Sequence, residues 1–197
     1  MLTVTEMRNA LTGSFLLARR DTGGLRFFDV SIDGFWRSFL VVVPIAPFYV
    51  WYAIQEIEIA REINPEGTYL VMNAGFMATR IILLVLDWLI FPVAMIFITR
   101  LVGLWPKYVA FIAIYNWSSL FIILALAPLA LLFALGIISA QMAGLINLLA
   151  ASLVLYYRWY IVRIVLETTI TTAVMIVSFD VILGLLVHGL FGRLTGY

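Results

Sequence analysis

Cysteine is absent from this 197-residue sequence, and histidine occurs once, at His188. Without a thiol the chain cannot form a disulfide, a cysteine nucleophile or a thiolate metal site, and one imidazole cannot form a histidine cluster. Charged residues make up only 12% of the chain, and the formal net charge is +1. So small a net charge argues against binding a polyanion through bulk electrostatics. We therefore expect no metal, no cofactor and no nucleic-acid partner.

Motifs of the common catalytic classes are also missing. The chain contains no GxSxG, HExxH, P-loop or GxGxxG pattern, so the nucleophile, zinc, phosphate and dinucleotide sites that those motifs build are not predicted. Two aspartates inside apolar segments, Asp87 and Asp180, are compatible in principle with intramembrane proteolysis by paired carboxylates. Neither lies in a supporting motif, so the sequence predicts a protein that is not an enzyme.

Apolar residues are abundant instead. They account for 64% of the chain, and the mean hydropathy is +1.10, whereas soluble domains are about 45–50% apolar. A bilayer core about 30 Å thick requires roughly 20 mostly apolar residues per helix. The pattern predicts an all-α integral membrane protein whose residues 35–197 form a bundle of about five transmembrane helices. The expected spans are residues 35–53, 68–102, 108–135, 142–157 and 168–190.

Prolines modify the first two expected spans. Pro44 and Pro47 fall inside the first span and Pro92 inside the second. Each removes a backbone donor and crowds the preceding helical turn, so we expect both helices to be kinked. The second span is longer than a bilayer is thick and must tilt, break or protrude. Asn64, which precedes a proline, is expected to end the helix that extends the first span.

The N-terminal residues 1–34 have a different pattern. Val4, Met7, Leu11 and Phe15 recur at helical spacing, which predicts a short amphipathic helix, and a turn and an interfacial stretch follow it. The helix either lies on the membrane surface, where it would contact and sense lipid, or docks on the protein's own bundle. Both interpretations stay open, and residues 1–34 are interpreted as a cytoplasmic segment.

The distribution of cations predicts the orientation, because cytoplasmic loops of membrane proteins are enriched in Lys and Arg. With the N-terminus in the cytoplasm and the C-terminus outside, nine cations lie on the inner side, and only Arg61 and Arg193 lie outside. Arg158 and Arg163 stand among aromatic residues and predict an anchor at the membrane interface. Compact loops and no visible signal peptide favour a bacterial inner membrane. The inner cations are Arg8, Arg19, Arg20, Arg26, Arg37, Arg100, Lys107, Arg158 and Arg163.

Three ionisable residues, Arg80, Asp87 and Asp180, lie inside the expected spans. A charge at mid-bilayer costs several kcal/mol unless it is paired, hydrated or neutralised. We expect Arg80 to pair with Asp87, about 10 Å along the same helix face, or with Asp180, and the surplus carboxylate to be protonated. The group is either a relay for protons or solutes or a buried ion pair that fixes helix register.

The order of elements resembles the Yip1-domain family. The similarity lies in an N-terminal segment followed by five spans, in the aromatic and proline pattern Asp87-Trp88-Leu89-Ile90-Phe91-Pro92, and in the short loop that runs into the third span over Gly103–Tyr115. It covers about residues 35–190. The resemblance implies a membrane-organising or trafficking-related role in eukaryotic members, and it supplies no functional residue.

The sequence therefore predicts a non-enzymatic, Yip1-like membrane scaffold, or an accessory or assembly subunit of a larger membrane complex. Its expected partners are lipids and other integral membrane proteins. This hypothesis rests on an aromatic content of 15% and on spans that are apolar around their circumference. The alternative is a small-solute or proton transporter or channel that uses Arg80, Asp87 and Asp180.

Overall fold

The computed structural model describes residues 2–66 and 74–195, and these ranges are helical and contain no strand. The side chains of residues 56, 60, 74 and 191–195 lie outside the description. Two short 3₁₀ turns, Thr22–Phe27 and Trp105–Lys107, separate some of the helices. The α-helices of the described ranges are α1 Val4–Ala18, α2 Ile32–Phe39, α3 Val42–Ile63, α4 Ala74–Leu101, α5 Tyr108–Ala134, α6 Ala140–Val165 and α7 Ile170–Thr195.

Five helical segments in the described part of the chain are long and apolar enough to cross a membrane. This confirms the predicted multi-pass helical class. The second span was expected to begin near residue 68, and residues 68–73 lie outside the described residues. The fourth was expected to end near residue 157, but α6 continues for two more turns, because arginine and tyrosine lower hydropathy without stopping a helix. The segments are Ile32–Ile63, Gly75–Leu101, Trp105–Ala134, Ala140–Val165 and Ile170–Leu190.

The first span consists of α2 and α3, with a break at residues 40–41. Pro44 has no N–H to donate to the carbonyl of Leu40 four residues earlier. The N–H of Val43 donates to that carbonyl instead, at 3.0 Å. Pro47 lies inside α3 without ending it. The first span is therefore divided just before Pro44, and the kink predicted at Pro44 and Pro47 stays a prediction.

Helix α4 continues through Pro92. Its 28 residues extend about 42 Å, which exceeds the roughly 30 Å of a hydrocarbon core. Two hydrogen bonds join α4 to other helices, one at the proline and one a turn before it: the Tyr108 hydroxyl of α5 donates to the Pro92 carbonyl at 3.0 Å, and the Trp88 indole of α4 donates to the Phe39 carbonyl of α2 at 3.1 Å.

Helix α5 is central, since it packs against α1, α2, α3, α4 and α6. Phe111 and Trp117 are fully buried there. The amide of Asn116 donates to the Ser38 hydroxyl of α2 at 3.0 Å, and that hydroxyl donates to the Phe35 carbonyl at 2.7 Å. This buried neutral pair joins the first and third spans. The outer face of α6 exposes a row of leucines, Leu145, Leu148, Leu149 and Leu153.

Helix α1 docks on the bundle. The Tyr157 hydroxyl of α6 donates to the Ser14 carbonyl at 3.0 Å. A Cβ on Gly13 would lie 2.6 Å from the Phe28 ring and 2.8 Å from the Gly24 carbonyl oxygen. Glycine therefore permits α1 to approach the turn Thr22–Phe27 more closely than any other residue would. The buried face of α1 consists of Ala10, Gly13, Ser14 and Leu17.

The sequence left two arrangements open for the amphipathic helix α1, and docking on the bundle was one of them. Met7 and Leu11 pack partly against the core, whereas Val4 and Phe15 point outward, 83% and 50% exposed. The stripe of large side chains is therefore divided between two environments. The closest contacts between α1 and the rest of the protein use small residues instead. A search for regularly spaced large apolar residues gives little weight to such residues.

Candidate functional site

Arg158 of α6 turns its guanidinium into the bundle rather than toward the interface. It donates to the Tyr115 carbonyl at 3.0 Å, to the Ser118 hydroxyl at 3.1 Å and to the Ser119 hydroxyl at 2.7 Å. Its Cζ lies 3.7 Å from the centroid of the Tyr115 ring. Within the described residues no carboxylate forms an ion pair with this arginine. Neutral oxygens and one aromatic face hold its positive charge.

Tyr115 connects Arg158 to Asp180. While its ring lies against the guanidinium, its hydroxyl donates to the Asp180 carboxylate of α7. The ring of Phe91 from α4 packs on Tyr115 with centroids 4.7 Å apart. One tyrosine on the central helix therefore joins α5, α6 and α7 through polar contacts and α4 through ring packing.

Asp87 of α4 pairs with His188 near the end of α7. The distance between Asp87 Oδ2 and His188 Nε2 is 2.7 Å. The second carboxylate oxygen, Oδ1, is buried and has no hydrogen-bond partner among the described residues. A buried acceptor without a partner is costly, so Asp87 is only half satisfied by its protein neighbours.

A cavity of about 140 Å³ lies between the two pairs. Asp87, Asp180 and His188 line it together with apolar residues of α4 and α7. Gly184 widens it, because the position that a Cβ would occupy there has nothing within 4 Å. The cavity is polar on one side and large enough for several water molecules. The cavity separates the Tyr115–Asp180 pair from the Asp87–His188 pair.

These polar residues form a series along the membrane normal. The α4–α5 and α6–α7 connections share one end of the bundle, because Lys107 Nζ is 2.7 Å from the Glu167 carboxylate. Counted from that end at 1.5 Å per residue, the groups rise in order toward the other end. The depths along the helices are about 10 Å for Arg158, about 15 Å for Tyr115 and Asp180, about 21 Å for Asp87 and about 27 Å for His188.

Of the three residues singled out from the sequence, Arg80 lies apart from the two aspartates. Asp87 and Asp180 meet at one cavity, but their partners are His188 and Tyr115, not Arg80 as expected. Arg80 instead lies over the Phe76 ring, with its Cζ 5.2 Å from the centroid. Arg80 and Asp87 share a side of α4 but lie two turns apart, so α7 supplies His188 at the level of Asp87.

The sequence did not predict the contacts of three members of the network. Arg158 was expected in an interfacial anchor, and His188 stood out only as the single histidine. Tyr115 lies in an apolar run without any distinguishing motif. One signal was available: Asp180 and His188 are separated by about two helical turns, so both point to the same side of α7.

The end of the bundle near Lys107 is basic and aromatic. The guanidinium of Arg100 lies 4.4 Å from the Trp105 centroid, and that of Arg163 lies 5.7 Å from the Trp159 centroid. Arg20, which follows α1, has its guanidinium 5.7 Å from two tyrosine rings of α6. Such a belt of cations and rings is typical of a membrane–water interface.

A separate charge cluster holds the N-terminal segment to α2. Arg37 binds Glu6 of α1, with both carboxylate oxygens 3.1 Å from Nε, and its guanidinium also pairs with Asp29. The Ser31 side chain and the Ser31 N–H, 3.0 Å from Asp29 Oδ1, lower the pKa of Asp29 below its usual range, and Arg37 adds to this effect. We refer to Glu6, Asp29 and Arg37 as the N-terminal lock.

The chemistry of the intramembrane network is limited by its contacts. In the described part of the chain, no three His, Asp or Glu side chains converge as metal ligands. A catalytic aspartate dyad shares one proton between adjacent carboxylates, whereas Asp87 and Asp180 have their hydrogen bonds with His188 and Tyr115. The arrangement is suited to holding and passing protons.

No family model, curated protein or solved structure matches this chain.

Proposed function

We propose that this protein moves protons through the membrane along Asp180, Asp87 and His188. The observation that supports this proposal best is the shared cavity, which two carboxylates and an imidazole from α4 and α7 line at successive depths. Intramembrane ionisable groups are expensive and typically mark ion or proton pathways. Arg80, part of the transporter hypothesis from the sequence, does not belong to this pathway.

A comparison of Asp87 with the Asn116–Ser38 pair favours a role in proton transport over a purely structural role for Asp87. Asn116 and Ser38 are buried and neutral, and they hydrogen-bond each other directly, as expected of groups that only join helices. Asp87 keeps a buried oxygen without a partner next to a cavity. Water in the cavity would supply the missing hydrogen bond and at the same time connect Asp87 to Asp180.

The proposed path follows the depths of the groups. A protonated Asp180 releases its proton to cavity water and is reprotonated from the Lys107 end of the bundle. Asp87 takes up a proton from that water and passes one to Nε2 of His188, which releases it at the far end of α7. An imidazole exchanges protons readily near neutral pH and lies here near the far end of α7. Tyr115 orients the Asp180 carboxylate, and Arg158 provides positive charge in the same network. The same groups would act in either direction, as the proton gradient requires.

Proton flux into vesicles that contain the purified protein tests this function. We expect Asp87→Asn and Asp180→Asn each to reduce flux at least ten-fold, because an amide cannot carry the proton. Glu167→Gln is the matched control, since its carboxylate is exposed and pairs with Lys107 outside the network. Unchanged flux in both aspartate variants would exclude the pathway.

A second proposal, the Yip1-like scaffold or accessory subunit, is favoured by the docked N-terminal segment. The lock and the bond from Tyr157 to Ser14 fix α1 on the bundle, so that Val4 and Phe15 are presented outward in a defined orientation. Such a surface could hold another membrane protein. Gentle extraction from the native membrane, with mass spectrometry of the co-migrating chains, tests it: loss of a stoichiometric partner in a Val4→Asn, Phe15→Asn variant supports this role, and its absence from the wild-type sample excludes it.

We also propose that the basic and aromatic end faces the cytoplasm of a bacterial inner membrane. The support is the excess of cations at that end. Because the chain has no cysteine, single cysteines can report the orientation. An impermeant maleimide should label Gln141→Cys in intact cells and should label Thr5→Cys only after the membrane is opened. The reverse pattern would invert the orientation.

A further inference from the structure

An apolar groove of about 430 Å³ lies between the end of α1, α5 and α6, away from the proton pathway. Its α6 wall extends from Ala150 to Tyr160, about 15 Å along the helix. Leu153 in that wall is 69% exposed, so the groove opens sideways to the surrounding lipid. Its shape matches an extended hydrocarbon chain that enters from the bilayer.

A cation marks the interfacial end of this groove. Arg20 lines it together with Tyr156 and Tyr160, and its guanidinium lies 5.7 Å from both ring centroids. No carboxylate among the described residues forms an ion pair with Arg20. The neighbouring Asp21 carboxylate accepts from the Gly23 N–H at 2.8 Å as the cap of the following turn. The guanidinium at the end of the groove therefore has no ion-pair partner among the described residues.

The backbone holds Arg20 in this position. Its φ of 65° lies in the left-handed region, which is unfavourable for a residue with a side chain. The Tyr160 hydroxyl donates to the Arg20 carbonyl at 3.0 Å. This conformation ends α1 in a Schellman motif, in which the N–H of Arg20 donates to the Leu17 carbonyl and the N–H of Asp21 to the Leu16 carbonyl, both at 2.9 Å. Here it directs a guanidinium between two aromatic rings at the end of an apolar groove.

We propose that this groove is a binding site for an anionic phospholipid, with the phosphate at Arg20 and one acyl chain between α5 and α6. Charge complementarity favours an anionic headgroup, since a basic pocket between transmembrane helices attracts anionic lipid. A peptide would leave its backbone groups without partners against apolar walls. A free phosphate would use Arg20 but would not fill the groove. This inference is independent of the proton pathway and of the partner role.

Two pairs of matched variants test the site. Arg20→Gln removes the charge, and Arg19→Gln removes the adjacent cation, which lies over Phe15 outside the groove. Ala150→Phe narrows the groove, and Ala151→Phe makes the same change at an exposed position of α6 that does not line it. Comparing members within each pair separates loss of the site from a general effect on folding or on net charge.

Native mass spectrometry of the full chain, with phosphatidylglycerol or phosphatidylcholine added, measures retention of each lipid. We expect wild type to retain phosphatidylglycerol preferentially, Arg20→Gln to reduce that retention about five-fold, as for one arginine near an anionic headgroup, and Ala150→Phe to reduce it similarly. The control variants should retain wild-type binding. Equal retention of both lipids, or equal loss in both members of each pair, would overturn the proposal. Displacement of the lipid by inorganic phosphate alone would overturn the acyl-chain part.

Discussion

Two arginines in this protein are compensated in opposite ways. Arg37, at the N-terminal lock, binds two carboxylates, Glu6 and Asp29. Arg158, inside the bundle, binds a carbonyl, two hydroxyls and an aromatic ring, and its nearest acid is reached only through Tyr115. Paired opposite charges neutralise each other, and each holds the other side chain in place. A cation held by neutral groups leaves the carboxylates of the network without an arginine ion pair among the described residues, as the proposed proton exchange requires.

The largest effect is expected from replacing Arg158. Arg158→Gln should reduce proton flux at least ten-fold. It should also lower the free energy of unfolding by about 3 kcal/mol, because three charge-assisted hydrogen bonds are lost. Arg158→Lys keeps the charge but not the planar fork, and should recover part of the flux but little of the stability. Flux in vesicles and unfolding in detergent measure the two quantities. Full flux in Arg158→Gln would remove this residue from the pathway.

Gly13→Ala should have the next largest effect and should spare the intramembrane site. Its Cβ would meet the Phe28 ring and the Gly24 carbonyl at less than 3 Å, so we expect a loss of about 1–3 kcal/mol in the stability of the docked N-terminal segment. Gly144→Ala is the matched control, because its Cβ would meet nothing within 4 Å. Protease protection of α1 and proton flux are measured together. A loss of flux that equals the loss of protection would mean that the two regions are coupled.

A smaller effect is expected from the lock itself. The partners are partly exposed, 28% for Arg37 and 14% for Glu6, and water screens such pairs, so the coupling free energy between them should be small. A double-mutant cycle with Glu6→Gln and Arg37→Gln measures it. Coupling near zero would mean that small-residue packing alone holds α1. Coupling of several kcal/mol would mean that the lock is shielded like a buried pair.

The smallest effect is a pH dependence of the lock. The pKa of Asp29 is lowered in the folded protein, mainly by the hydrogen bonds from Ser31. Its contribution is therefore fully present above the ordinary range of an aspartate and is lost as the pH falls through the lowered folded value. Hydrogen exchange of α1 as the pH is lowered measures this loss, which should vanish in Asp29→Asn. Asp33→Asn is the control, because Asp33 forms no ion pair among the described residues.

The sequence identified two of the network's acids but not their partners. Asp87 and Asp180 stand out because an ionisable residue inside an apolar run is expensive wherever it lies. Arg158 did not stand out, because its tyrosine and tryptophan neighbours in the sequence are typical of a membrane–water interface. Whether an arginine near a helix end points outward or inward depends on which oxygens the adjacent helix offers, and α5 offers Ser118 and Ser119.

The membrane class, the number of candidate spans and the presence of acids that require compensation follow from the sequence alone. These properties depend on local composition and backbone chemistry. Three contacts depend on the packing of the helices: Asp87 meets His188, 101 positions away, Tyr115 joins Arg158 to Asp180, and small residues dock α1. Such contacts depend on how each helix is rotated and inclined against its neighbours, and in spans apolar on every face hydrophobic periodicity does not specify that rotation.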